Sequence, residues 1–357
     1  MKTYLDKKKL SSIVMDIFLK KGNIFLLLGK YGEAESNFKI MLKLAKTLLD
    51  PKNEGIVYIR LGWLNYLKAF YSKAMEYLQS ARSIFEEIKD PNNLAKCWDN
   101  IGWVHRIQGR YGKALKCQRM ALQLRKVKGN EIKIANSLNT LGHTYWIMGR
   151  YKESMQYYPK ALTIFKKSGY IYGEAVCLNN LGLVYTEIKL FDKAEECYKR
   201  SLKLRKEMGD FGGIATSYLN LGLVYCGRKN FDKAIASWEE ALTLSKRLGT
   251  RDITAMCQTN IGGVYLDQKD YKQAIAILKE SLKTKLELEL GAYLPSSYTK
   301  LAWAYFRLYK SGDKKKNRNL IKAKKYAEES LKISREIKHS LKIKEAEEIL
   351  SKIEKLL

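Results

Sequence analysis

Tryptophan and asparagine recur at regular intervals in this sequence, and both residue types suit molecular recognition. An indole carries a large apolar surface, and proteins seldom leave such surface exposed on a helix unless it binds something. A side-chain amide both donates and accepts hydrogen bonds, which suits the backbone of an extended peptide. These residues therefore favour noncovalent binding. The positions that recur at forty residues, or at a multiple of forty, are Trp63, Trp103 and Trp303, and Asn100, Asn180, Asn220 and Asn260.

Residue patterns for catalysis or metal binding are missing from the sequence. The three histidines, His105, His143 and His339, form no zinc-binding spacing, and there is no nucleophile elbow or phosphate-binding loop. The six cysteines include no C-x-x-C pair, which argues against a zinc site or a redox dithiol. The sequence therefore predicts a protein that is not an enzyme and that holds no cofactor and no metal.

The composition is that of a folded protein without a membrane segment. Of the 357 residues, 46% are hydrophobic and 29% are charged, which is enough apolar material for a core. The apolar run from Ile24 to Leu28 stops at Gly29, far short of the ~20 residues that span a bilayer. Asp16 and Lys20 interrupt any apolar signal-peptide region. The cysteine usage fits a reducing compartment, so we expect a cytoplasmic protein.

A forty-residue repeat runs through most of the chain. A glycine marks each copy, and Ala302 continues the series in an eighth copy. In most copies a ring follows the glycine by three residues, and a small residue follows it by twelve. His105 takes the ring position of its copy, and we expect it to lie in the core. The repeat glycines are Gly22, Gly62, Gly102, Gly142, Gly182, Gly222 and Gly262.

Each copy has the spacing of two helices. Leu178, Leu181 and Tyr185 are separated by three and four residues, which places them on one helical face. A second helical stretch follows a short link, and the repeat glycine removes a Cβ where the two helices cross. Further glycines at forty-residue spacing end the second helix, because glycine tolerates the left-handed conformation. These are Gly129, Gly169, Gly209 and Gly249. The sequence therefore predicts an all-α solenoid of about eight helix-turn-helix repeats.

The predicted boundaries follow the repeat. Residues 1–14 lead into the first helix, residues 15–291 form seven repeats, and residues 292–337 form an eighth. The eighth repeat has nine extra residues, which we place in a basic loop at 309–318. Residues 338–357 form an amphipathic helix that we expect to cap the apolar end of the solenoid.

One copy shows a family resemblance clearly. Tyr218-x-x-Leu221-Gly222-x-x-Tyr225, followed by Ala234-x-x-x-Trp238, resembles the signature of the tetratricopeptide repeat. The period is forty residues rather than the usual ~34, and the family's proline is missing. The longer form is similar to the 40- to 42-residue repeats of kinesin light chains, G-protein-signalling modulators and bacterial peptide-sensing regulators. HEAT and armadillo arrays share the period, but the glycine–aromatic–alanine register favours the tetratricopeptide repeat.

The resemblance implies a right-handed superhelix whose first helices line a concave groove. It places six positions of each first helix in that groove, at −6, −3, −2, +1, +4 and +5 from the repeat glycine. The predicted function is a non-enzymatic scaffold or sensor that binds a peptide segment of a partner protein there. An alternative is that the tryptophans pack against the adjacent repeat. The predicted peptide-binding residues are Trp63, Tyr66, Asn100, Trp103, Arg106, Asn139, His143, Trp146, Asn179, Asn180, Asn220 and Asn260.

The net charge of +29 keeps nucleic-acid binding, RNA in particular, as an alternative function. Over the eight repeats, however, the six groove positions carry six basic and four acidic residues, so most of the excess charge lies elsewhere. The densest basic cluster falls in and after the loop of the eighth repeat, where it is either a solvated loop or a contact for an anion. The residues of that possible contact are Lys314, Lys315, Lys316, Arg318 and Lys322.

Overall fold

The structure, a computed structural model, describes residues 2–288, 290–312, 316–336 and 340–356. Over these ranges the chain is helical and contains no strand, which confirms the all-α prediction. A short 3-10 helix, Gly291–Tyr293, precedes α15. The α-helices are α1 (Lys2–Leu27), α2 (Tyr31–Thr47), α3 (Pro51–Leu67), α4 (Tyr71–Glu87), α5 (Pro91–Ile107), α6 (Tyr111–Lys128), α7 (Glu131–Ile147), α8 (Tyr151–Lys167), α9 (Ile171–Glu187), α10 (Phe191–Met208), α11 (Phe211–Gly227), α12 (Phe231–Leu248), α13 (Arg251–Asp267), α14 (Tyr271–Glu287), α15 (Leu294–Lys310), α16 (Lys316–Glu336) and α17 (Ser340–Glu354).

The helices pack as a series of hairpins in two compact units, Met1–Gly173 and Glu174–Leu357. In the first unit, each helix from α1 to α8 contacts the next, and α3 also contacts α5. In the second unit, each helix from α10 to α17 contacts the next, and α11, α13 and α15 contact one another in turn. The odd-numbered helices up to α15 are the first helices of the repeats, and the even-numbered ones are the second helices. This order of contacts is that of an α-solenoid.

The repeat glycine lies where the two helices of a hairpin cross. A Cβ on Gly222 would lie 2.2 Å from Nε1 of Trp238 on the second helix. Trp238 is only 1% exposed, and its Nε1 donates a hydrogen bond to the carbonyl of Leu219 over 2.9 Å. The large ring therefore occupies the space that any side chain at 222 would need. The sequence predicted the glycine at the helix crossing but not the ring that fills the space beside it.

The turns between helices share one backbone conformation. A residue with positive φ recurs every twenty residues from position 29 to position 269. The predicted helix stops have this conformation, with φ of 67° at both Gly129 and Gly209. Leu49 and Lys189 adopt it without the freedom of glycine, at φ of 52° and 61°. A common turn geometry therefore keeps the hairpins in register despite different turn residues.

The ends of the chain refine the predicted boundaries. Helix α1 begins at Lys2, so residues 2–14 of the predicted lead-in are part of the first helix, and residue 1 lies outside the described residues. The predicted loop 309–318 is helical at both ends, since α15 reaches Lys310 and α16 starts at Lys316. Helix α17 packs on α15 and α16 and buries Ala346, Ile349 and Ile353. No helix in the described part of the chain is long and apolar enough to cross a membrane.

Candidate peptide-binding surface

Three tryptophan and tyrosine rings form a contiguous surface on α3 and α5 in the first unit. Trp63 and Tyr66 lie one turn apart on α3 and stack, with their ring centroids 4.9 Å apart. The Trp63 ring meets Trp103 of the next first helix edge to face, with a centroid distance of 6.2 Å. All three side chains are half-buried. The tryptophans therefore do contact the adjacent repeat, yet part of each ring remains open to solvent.

An arginine continues this surface from α5 to α7. The guanidinium carbon of Arg106 lies 4.0 Å from the Trp103 ring centroid, within cation–π distance. Its Nη1 donates a hydrogen bond to Nδ1 of His143 over 2.7 Å. The His143 ring lies 5.4 Å from that of Trp146 on the same helix. We call the resulting series the aromatic strip, and its members are Trp63, Tyr66, Trp103, Arg106, His143 and Trp146.

Burial controls the charge of the strip. It lowers the pKa of the Arg106 guanidinium and raises that of the Tyr66 hydroxyl. Burial, with the Arg106 charge second, lowers the pKa of His143 to about 4. His143 is therefore neutral at physiological pH, as it must be to accept a hydrogen bond from Arg106. Arg106 then provides the positive charge of an otherwise neutral surface.

A polar cavity of about 240 Å³ lies between α3 and α5 in the same unit. Arg60, Lys96 and Asn100 line it, all at positions predicted for the groove. Asp99 also lines this cavity and forms an ion pair with Arg125 of α6. Asn100 is therefore placed beside groups that could hold a polar ligand atom.

The predicted asparagines of the second unit behave differently. Nδ2 of Asn220 donates a hydrogen bond to Oδ1 of Asn179 over 2.9 Å, and both side chains are 6% exposed. These amides pair with each other between first helices, and their contact with a peptide stays a prediction. Asn180 and Asn260 are half-buried, as is Asn139 in the first unit.

A second cavity, of about 280 Å³, lies on the first helices of the second unit. Asn260 lines it together with Trp303, Lys300 and Arg307. The sequence pattern placed Trp303 in the same register as Trp63 and Trp103, forty residues or a multiple apart. The register therefore located a ring and an amide at this cavity, but it gave no sign of the cavity itself.

The predicted anion contact is only partly within the described residues. Lys314 and Lys315 lie outside the described residues, and so does the side chain of Lys316. Arg318 is exposed, whereas Lys322 packs with its Nζ 5.2 Å from the Tyr305 ring centroid. Lys322 therefore contributes to packing of the eighth repeat as well as to its charge.

The described cysteines are buried apart from Cys226, which is half-buried. Burial raises the thiol pKa of Cys97, Cys177 and Cys257 to about 12. These thiols stay protonated at physiological pH, so they are poor nucleophiles. Among the residues that the structure describes, no group of three or more histidine, cysteine or acidic side chains could hold a metal ion.

Stacked hairpins with glycine crossings and an aromatic face on the first helices define an α-helical repeat protein. A model of the tetratricopeptide repeat matches residues 70–126, 133–207 and 213–287, which together make up more than half of the chain. The chain belongs to the tetratricopeptide repeat family. This confirms the resemblance seen in the sequence.

Solved structures with this fold include two complexes of Rap proteins. The chain is 14% identical to a Rap protein complexed with competence and sporulation factor, over 97% of this chain and 98% of that one, with a TM-score of 0.60. It is 16% identical to the Rap conjugation gene regulator of plasmid pLS20 in complex with the Phr* peptide, covering 90% and 97%, with a TM-score of 0.61. A third match is BtubC (BKLC) of P. vanneervenii, a kinesin light chain-like protein, at 24% identity, 62% and 92% coverage and a TM-score of 0.53. No curated protein sequence matches the chain.

Proposed function

We propose that this protein is a non-enzymatic interaction scaffold or sensor that binds a peptide segment of a partner protein on the aromatic strip. The observation that carries this proposal is the continuity of the strip over the first helices α3, α5 and α7. Trp63, Trp103 and Trp146 are half-buried, and Arg106 and His143 connect the second to the third. Such a surface can bury apolar side chains of a peptide while one cation pairs with a carbonyl or a carboxylate.

The packing of the strip favours binding because it restricts the side chains in advance. Trp63 is held between Tyr66 and Trp103, and Arg106 is held by Trp103 and His143. Side chains that are already ordered lose little conformational entropy when a ligand arrives. Aromatic and arginine side chains are also the residue types that dominate binding energy in protein interfaces.

Two of the similar structures support the proposal at the level of the fold. Both Rap proteins named above are complexes, one with competence and sporulation factor and the other with the Phr* peptide. Their fold is therefore compatible with peptide recognition. The identity of 14–16% supports no transfer of individual contacts, so the present argument depends on the residues of the strip.

Selection of peptides on the purified protein tests the proposal. A displayed random-peptide library is selected on the wild type, and the affinity of the enriched peptides is measured by fluorescence anisotropy. The variant Trp63→Ala/Trp103→Ala/Trp146→Ala should weaken binding at least about tenfold. Phe70→Ala is the matched control, since Phe70 is a 55% exposed ring of the same unit outside the strip. Circular dichroism verifies that both variants fold. Equal affinity for the triple variant and the wild type would contradict the proposal.

Nucleic-acid binding remains the alternative, and the strip argues against it. Surfaces that bind single strands combine stacking rings with several cations along the backbone path. The strip has the rings but only Arg106 as a cation. We therefore expect single-stranded RNA to bind weakly, with a shallow dependence on salt. A steep dependence that disappears in Arg318→Gln/Lys322→Gln would favour the alternative.

A further inference from the structure

A cavity of about 550 Å³ lies between the second helices α4 and α6, with α5 as its floor. Its lining includes Tyr71 and Met75 of α4, Trp98 and His105 of α5, and Lys113 of α6. No member of the aromatic strip lines it. The volume is in the ~300–1,000 Å³ range typical of small-molecule sites.

His105, which lines the cavity, is shorter than the tyrosine that most repeats carry at this position. In the next repeat, the Tyr145 hydroxyl accepts a hydrogen bond from Arg119 of the preceding second helix over 2.7 Å. Tyr225, later in the chain, also bonds to the preceding second helix. Its hydroxyl donates a hydrogen bond to Oε1 of Glu195 over 2.9 Å. Each ring therefore fills the gap that stays open beside His105.

His105 also differs from these tyrosines in its hydrogen bonding. The repeat pattern predicted that His105 lies in the core. In the structure it is half-buried. Its Nδ1 atom is buried, and within the described part of the chain it has no hydrogen-bond partner. A buried polar atom without a partner is costly, so His105 is a less favourable residue at this position than a tyrosine whose hydroxyl is bonded.

The cavity combines an apolar floor with a positive rim. Ile101 and Cys117, 4% and 5% exposed, lie at the bottom. One wall is the Trp98 indole, with the Arg82 guanidinium 5.1 Å from its ring centroid. Arg110 contributes to the rim.

The charges around the cavity are unequal. Arg82, Arg110 and Lys113 line it, against the single carboxylate of Glu76. Burial lowers the pKa of His105, and the positive charges of Lys113 and Arg110 lower it further. His105 is therefore mainly neutral near pH 7, and the net field at the cavity is positive.

We propose that this cavity is a binding site for a small planar aromatic molecule that carries one anionic group. The ring of the ligand lies against the Trp98 indole, over the apolar floor. Its anionic group pairs with Arg110 and Lys113 at the rim, and the edge of its ring lies beside the His105 imidazole. The site is separate from the aromatic strip and does not depend on peptide binding.

Isothermal titration calorimetry with indole-3-carboxylate, and with indole as the uncharged comparison, tests this site. We expect saturable one-to-one binding of indole-3-carboxylate by the wild type and binding of indole at least about tenfold weaker. His105→Tyr should fill the cavity and weaken the binding of indole-3-carboxylate at least about tenfold. Arg110→Gln/Lys113→Gln should weaken it similarly, whereas Lys116→Gln, a matched change outside the cavity on α6, should leave it unchanged.

The double variant Gln79→Arg/His105→Tyr provides a second way to fill the cavity if His105→Tyr fails to fold. It copies the Arg119–Tyr145 pair, since both positions are forty residues earlier. Absence of saturable binding by the wild type would overturn the proposal. So would equal affinity in a folded cavity-filled variant, or equal affinity for indole and indole-3-carboxylate. The peptide measurements on the strip variants are independent of all these outcomes.

Discussion

Arg106 of α5 donates a hydrogen bond from Nη1 to Nδ1 of His143 on α7, over 2.7 Å. The two residues lie 37 positions apart and belong to neighbouring repeats. Because a guanidinium has no acceptor, Nδ1 must be the unprotonated nitrogen of the imidazole. Protonation of His143 would replace this bond by the repulsion of two cations. The contact between the two repeats therefore depends on the charge of one side chain.

The stability of the first unit should fall on mild acidification because of His143. Its pKa is lowered from an ordinary 6.5 to about 4, so the unfolded chain binds more protons between these values. We expect the free energy of unfolding to drop by up to about 2 kcal/mol between about pH 7 and about pH 5. Urea unfolding followed by circular dichroism measures it.

The variant His143→Gln isolates this contribution. Glutamine can still accept from Arg106 but does not titrate, so the variant should lose most of the pH dependence. His105, whose pKa is also lowered, is present in both proteins and cancels in the comparison. An identical pH dependence in wild type and variant would show that His143 is not the source.

Two glycines of α11 should respond in opposite ways to alanine. Gly222→Ala places a Cβ 2.2 Å from Nε1 of Trp238, so the ring must move. We expect this variant to lower the free energy of unfolding by at least about 2 kcal/mol. Gly212→Ala meets its nearest atom only at 3.9 Å and should stabilise by up to about 1 kcal/mol through helix propensity. Urea unfolding of both variants measures the difference. Equal effects would mean that the crossing at Gly222 is looser than the structure has it.

The sequence predicted the fold well because the repeat glycine and its large partner impose one local geometry. Glycine recurs at the register of Gly222, and most copies carry a large apolar or aromatic residue at the register of Trp238, so the crossing has a similar geometry in each copy. The candidate site was predicted less completely. The register placed Trp63 and Trp103 on one face, but it could not show that Asn179 and Asn220 bond to each other, since that depends on rotamers in two repeats.

The cavity beside His105 shows the same limitation. The repeat pattern gave His105 the environment of a tyrosine, and the sequence therefore predicted a core residue. The empty volume arises from the combined lengths of side chains on α4, α5 and α6, including Gln79, Trp98 and Lys113. A one-dimensional pattern records each residue type but does not sum their volumes in space.

Gln118→Leu should stabilise the protein. Gln118 is 1% exposed and occupies the position at which neighbouring repeats have Leu78 and Tyr158 against the repeat glycine. Among the described residues, neither its amide nitrogen nor its amide oxygen has a hydrogen-bond partner. Leucine removes this desolvation cost, so we expect a gain of about 1–3 kcal/mol in the free energy of unfolding.

Gln118→Asn is a useful comparison, because it keeps the amide and opens additional space. We expect its free energy of unfolding to be lower than that of the wild type by about 1 kcal/mol or more. Urea unfolding curves with equal slopes allow the free energies to be compared directly. A loss of stability in Gln118→Leu would indicate that the amide is satisfied by a bound water.

Lys285 of α14 should make the second unit more stable as the solution becomes alkaline. It is 2% exposed, and its Nζ donates to the hydroxyls of Thr259, at 2.7 Å, and Ser297, at 2.9 Å. Burial, with the charge of Lys300 second, lowers its pKa from 10.5 to about 8. Between these values the unfolded chain binds more protons than the folded chain, so stability rises with pH. We expect the free energy of unfolding to rise by up to about 2 kcal/mol between about pH 8 and about pH 10.

The variant Lys285→Met tests this account, since methionine has a similar length and carries no charge. It should be at least as stable as the wild type near neutral pH, because no buried cation remains to be desolvated. It should also lose the alkaline gain that Lys285 produces. Lys300, whose pKa is also lowered to about 8, and the buried thiols, which act in the opposite direction, are common to both proteins. The difference between the two urea-unfolding profiles therefore belongs to Lys285 and to its electrostatic interaction with Lys300. If the variant kept the full alkaline gain, the buried ammonium would have to be charged in the folded protein throughout this range.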